Sequence, residues 1–283
     1  MDKALVGSRI NIWTIGSISV VAYCLANILH EGLGHGGACF LMGGTPQQFN
    51  AIFFVCDSNS ISSSGQSVIA AGGGVVNFIT GIMALIILHF FKLRENSISF
   101  FFWLFSAVSI LMSFGYILFS GISGAGDWIK VFHGLASNYT VRLSLILLGA
   151  FLYFVISPKL LFPKFKSYLN SSYSLNSQLV SLVRLPYIIG GTTFLIAGLL
   201  NPYGFKLVIS SAIGASFGGT SLLAWYRISP NHSSTHIPAT PFYLEFSKIW
   251  LAVGLITLIV FVGVLGPGIE GRPLTERNPP EHA

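Results

Sequence analysis

The stretch "INIWTIGSISVVAYCLANILHEGLGHGGACFLMGG", residues 10–44, decides how the chain is read. Its first part, residues 10–29, carries no charge. At about 1.5 Å per residue it is long enough to cross a hydrocarbon core of roughly 30 Å. His30, Glu31 and His35 arrive where that run ends, interleaved with Gly32, Gly34, Gly36 and Gly37. A charged side chain at membrane depth costs about 2.5–3.5 kcal/mol on insertion scales, so a glutamate between two histidines is read as chemistry. The competing reading is a small-residue packing face with two incidental histidines. It accounts for the glycines but not for the glutamate.

Composition supports a membrane setting. Of 283 residues, 53% are apolar or aromatic and only 8% are charged, against about a quarter charged in soluble domains. Seven segments reach spanning length: residues 10–29 (continuing towards 42), 68–91, 98–122, 141–161, 179–200, 207–226 and 249–265. The expected fold is therefore an all-α polytopic membrane protein of about seven transmembrane helices in a lipid bilayer. The net charge of +6 is scattered between apolar runs rather than gathered into a stripe, which argues against nucleic acid. Ten Lys and Arg residues fall on the segments that share a side with the N-terminus and five on the others. That bias predicts a cytoplasmic N-terminus. The first apolar run exceeds the usual signal-peptide core, so it is read as an uncleaved membrane helix.

Between the first two spans, residues 43–73 have turn residues at their ends and a β-prone core at 49–56, which predicts a short β-element of one or two strands with a Ser-rich turn. The tail from Gly266 is Pro-rich and charged and is expected to be disordered. The chain divides into a front part at 1–135, additional transmembrane helices at 136–265 and the tail at 266–283. Cys24, Cys39 and Cys56 are an odd number without C-x-x-C spacing and are read as small buried apolar residues.

Of nine acidic residues, Glu31 and Asp127 stand out, the latter in "GISGAGDWIKVF" after the third span. Zinc takes His nitrogen and carboxylate oxygen, and a catalytic site keeps three protein ligands and a water. His30, His35 and Asp127 would be the three ligands, leaving Glu31 as general base. Helical geometry raises an obstacle. Residues i and i+5 stand about 140° apart at about 100° per residue, so His30 and His35 cannot face one ion from a regular helix. Either the helix is loosened by a π-bulge among its glycines, or Glu31 is itself a ligand beside His35.

Three segments in order, "HEGLGH", "AAGGGVVNFITG" and "GAGDW", make the chain resemble the site-2 protease family of intramembrane zinc metalloproteases. The resemblance covers about residues 20–135. It implies a zinc site of His30, His35 and Asp127, catalysis by Glu31, a membrane-protein substrate, and Asn77 lining the site near the substrate backbone; helix–helix hydrogen bonding is the other reading of Asn77. Two departures are plain: one extra residue separates the histidines, and "GAGDW" lacks the family's proline-rich lead and the glycine after its aspartate. The expected function is hydrolysis of a peptide bond in or near a transmembrane segment. An inactive protease-like interaction protein is the alternative. A di-iron membrane desaturase or hydroxylase is a further one, with "HEGLGH" and "HSSTH" (His232 to His236) as histidine boxes. Seven histidines and no adjacent pair fall short of the set such enzymes use. His89 is read as interfacial, His133 as a surface residue, and His282 has no assigned role.

Overall fold

The computed structural model describes residues 10–90, 96–132, 135, 138–169, 175–201, 212–226 and 242–271. Among the described residues, five helices are long and apolar enough to cross a membrane: α1 (Ile12–Leu41), α2 (Ser63–Phe90), α3 (Ser97–Ser123), α5 (Tyr139–Tyr168) and α6 (Asn176–Leu199). A five-residue helix, α4 (Asp127–Val131), follows α3. Of the expected sixth segment, residues 207–211 lie outside the described residues; the rest forms a π-helical turn, Gly214–Gly218, and α7 (Leu222–Trp225). The seventh is a shorter apolar helix, α8 (Lys248–Val264).

Local chemistry sets the helix starts. Asn11 accepts from the backbone of Trp13 and Thr14 at the head of α1. Asn96 and Ser99 form a reciprocal capping box on α3, which satisfies two donors that a helix start otherwise leaves orphaned. Large apolar side chains stay exposed along the bundle, among them Ile79, Met83 and Ile86 on α2, Leu147, Phe151 and Phe154 on α5, and Ile249, Ile256 and Ile259 on α8. Such a surface suits lipid rather than water.

α3 is the hub, buried over most of its length. Ser106 and Ser113 donate across to the carbonyls of Gly81 and Gly74 on α2, each at 2.8 Å. Small residues let the rear helices approach the front ones closely. A side chain at Gly254 of α8 would strike Ser17 of α1, and one at Gly190 of α6 would strike the Tyr23 ring.

The bundle has two distinguishable ends. At one, Ile10 bridges Leu244, the Tyr168 hydroxyl donates to Ser99, and Phe242 packs on Phe100 and Tyr168. At the other lies a three-stranded antiparallel sheet of order β2-β1-β3, made of β1 (Thr45–Phe49), β2 (Phe54–Asp57) and β3 (Ile269–Glu270). The expected β-element is thus present, but its turn is at Asn50 rather than in the Ser-rich stretch. The Asn50 side chain accepts from the backbone of Ile52 and Phe53, an Asx turn that divides the β-prone run in two. Asn27 donates to the Ala51 carbonyl at 2.6 Å, and the Ala51 N–H donates to Leu265 at 2.7 Å. The hairpin is thereby tied to α1 and α8 together.

Two expectations are corrected here. Cys39 and Cys56 are not separate buried apolar residues but a disulfide, with Cα atoms 6.0 Å apart, joining the last turn of α1 to β2; Cys24 is buried and free. The tail is not structureless from Gly266, because the Gly271 N–H donates to Gln47 and β3 pairs with β1. Sheet hydrogen bonding supplies order that composition alone does not reveal. Residues 272–283 lie outside the described residues.

Candidate metal centre

α1 changes its winding where the ionisable cluster begins. Leu29–Gly36 is π-helical between α-helical flanks, so one extra residue fits into a turn and positions i and i+5 come onto one face. The loosened helix required by the histidine spacing is therefore present. His30 and His35 project together, their ring centroids 4.9 Å apart.

Asp127 is delivered from a different element. Gly124 (φ 68°) ends α3 in a left-handed cap and Gly126 (φ 92°) follows with a second positive φ, conformations that glycine adopts without a Cβ penalty. The chain thereby turns back, Trp128 packs against Gly74, and Asp127 points inward. Burial opposes its charge, but His35 and His30 beside it hold the carboxyl well below the usual carboxylate range. Lys130 stands 3.8 Å from its Oδ1.

The three ligand atoms form a near-regular triangle. His30 Nε2 and His35 Nε2 are 3.3 Å apart, and Asp127 Oδ2 lies 3.5 Å from the first and 3.3 Å from the second. Ligands about 2.0–2.1 Å from a tetrahedral zinc stand about 3.3–3.4 Å from each other. The spacing fits one ion. Among the described residues, this is the group of His, Cys, Asp and Glu side chains able to hold a metal.

Protonation supports the same fit. His35 Nδ1 faces the Ile69 carbonyl at 2.8 Å. A carbonyl only accepts, so Nδ1 carries a proton, and the neutral ring presents its lone pair at Nε2. His30 Nδ1 faces the Asn77 amide at 3.2 Å. With Nδ2 on that side, Asn77 Oδ1 is buried without a hydrogen-bond partner among the described residues. The opposite amide orientation, equivalent in shape, lets Oδ1 accept from His30 Nδ1–H and gives His30 the same tautomer. With both rings neutral, two lone pairs face each other across 3.3 Å, an arrangement that a metal cation between them stabilises.

No protein-family model, curated protein or solved structure matches the chain.

Glu31, only 4% exposed, opens with His35 and Asp127 onto a cleft of about 790 Å³, whose opposite wall is the β2 hairpin from Ile52 to Cys56. Asn77 is fully buried and directs its amide at His30, and it is not among the residues lining the cleft. Tyr116 of α3, not singled out from the sequence, lines the cleft with its ring 5.4 Å from that of His30. An aromatic in a helix that is apolar all round leaves no trace in hydropathy; only the packing of α3 against α1 reveals it. His89 is exposed at the end of α2 beside Phe90. His133, His232, His236 and His282 lie outside the described residues.

Proposed function

We propose that the chain is an intramembrane zinc metalloprotease that hydrolyses a peptide bond in or near a transmembrane segment of another protein. One observation carries this reading: the His30, His35 and Asp127 ligand atoms are spaced for a single tetrahedral ion while Glu31 opens onto the same cleft. A bound zinc supplies Lewis acidity at the scissile carbonyl and lowers the pKa of the attacking water. Glu31 accepts that water's proton and returns it to the leaving amine. Asn77 and the Ile69 carbonyl hold the two imidazoles in the ligating tautomer, as outer hydrogen bonds do in metal sites. β2 is an edge strand on the cleft wall, so a substrate segment that has unwound from its helix can pair with it by β-augmentation. Seven crossings are part of the reading, with residues 207–226 as the sixth and α8 as the seventh.

After purification without chelators the chain is expected to hold about one zinc. His35→Ala should hold none, and Asn77→Ala should bind it about 10–100-fold more weakly, as outer partners of metal-binding histidines do. Elemental analysis with a competing chelator measures both. Zinc retained at full affinity in His35→Ala would overturn the ligand assignment, and two irons per chain would favour the desaturase reading.

Tyr116 brings the cleft wall a phenol donor beside His30. We assign it to the carbonyl oxygen as charge develops there. Tyr116→Phe keeps the ring packing and should leave the zinc content unchanged while lowering kcat by about 10²–10³-fold. Unchanged kcat would leave Tyr116 as a packing residue.

A further inference from the structure

The disulfide and the distribution of basic residues report independently on which way the cleft faces. Cys39–Cys56 lies at the sheet end of the bundle, and Cys56 itself lines the cleft. It joins the helix carrying the two histidines to the strand that forms the facing wall, so the hairpin is covalently held against α1. A disulfide between chain segments persists where the compartment is oxidising and is rare in reducing cytosol.

Along the sequence, basic residues concentrate in the segments that begin or end a helix at the other end. Lys3 and Arg9 precede α1; Lys92 and Arg94 join α2 to α3; Lys159, Lys164 and Lys166 lie towards the Tyr168 end of α5; Arg184 is in the first part of α6; Arg227 follows α7; and Lys248 starts α8. The segments at or leading to the sheet end hold Lys130, Arg142, Lys206, Arg272 and Arg277. Two of these five are engaged by the fold itself. Arg142 donates to the Gly121 and Ile122 carbonyls at the end of α3, and Lys130 stands beside Asp127. Lys and Arg accumulate on the cytoplasmic side of membrane proteins, which places the sheet end on the opposite side.

We propose that the cleft opens on the oxidising, extracytoplasmic face of the membrane, with Cys39–Cys56 clamping the hairpin that forms its wall. The substrate is then the extracytoplasmic end of a membrane-spanning segment. This last step rests on the peptidase reading; the orientation and the clamp do not.

Thiol labelling of the full chain in its native membrane tests both without any need for activity. After denaturation without reductant, a PEG-maleimide should tag one thiol, that of Cys24; after reduction it should tag three. Three tags without reductant would overturn the clamp. For the orientation, Ser60→Cys beside β2 and Phe246→Cys at the other end are compared in a Cys24→Ala, Cys39→Ser, Cys56→Ser chain. A membrane-impermeant maleimide applied to intact cells should label the first and reach the second only after permeabilisation; the reverse pattern would overturn the orientation. A chain that labels as expected but cleaves nothing would remove the peptidase reading and leave this one standing.

Discussion

Replacing Glu31 by glutamine is expected to lower cleavage by about 10²–10⁴-fold, the range for removing a positioned general base, while zinc content stays at one per chain. Glutamine has the shape of glutamate and still forms hydrogen bonds, but it cannot accept the proton of the attacking water. Glu31 lies outside the triangle formed by His30, His35 and Asp127, so its replacement leaves every ligand atom in place. The measurement is single-turnover cleavage in liposomes of whichever single-span peptide, from a panel, the unaltered chain cuts, paired with metal analysis of the same preparation. Full-rate cleavage by Glu31→Gln would remove the general-base role. Loss of zinc would make Glu31 a ligand, the alternative that a regular helix would have demanded.

The second large effect is expected from a single methyl group. A Cβ at Gly73 would lie 2.5 Å from His30 Nε2 and 2.6 Å from His35 Nε2, close to where the ion would sit. Neither side has room to retreat. A Cβ at Gly34 of the π-helical turn would lie 2.5 Å from the Gly73 Cα, so the two backbones already touch, and the Ser106 and Ser113 bonds hold α2 against α3. Overpacking of this kind costs about 1–3 kcal/mol when the neighbours can shift, and here the neighbours that must shift are the proposed ligands. Gly73→Ala should therefore weaken zinc binding by at least about 100-fold, which corresponds to about 2.7 kcal/mol. Gly37→Ala, whose added methyl meets Leu33 at an ordinary 3.8 Å, is the control and should bind zinc as the unaltered chain does. Equal affinities in the two variants would show that the cluster holds no ion between α1 and α2.

What could be read from the sequence follows the range of the forces involved. The long apolar helices, the β-prone hairpin and the need for a π-bulge between His30 and His35 rest on hydropathy, propensity and rotation per residue, all local quantities. Asn50, by contrast, ended a β-prone run because its side chain captured two backbone donors, a local bond that residue preference only weakly signals. The Cys39–Cys56 pairing was hidden because an odd cysteine count carries no geometry. β3 was hidden because a two-residue strand has no pattern of its own and exists only beside β1.

The candidate site divides in the same way. By itself the sequence determined that a glutamate between two histidines closes an uncharged span, and that those histidines share a face only if the helix is rewound. Only the tertiary structure decided that Asp127 completes the triangle, that Asn77 bonds His30 rather than lining the cleft, and that Tyr116 stands at the wall. Those three side chains come from α4, α2 and α3. Their convergence depends on glycine-thin contacts and cross-helix serine bonds, interactions between segments far apart in the chain that no local window contains.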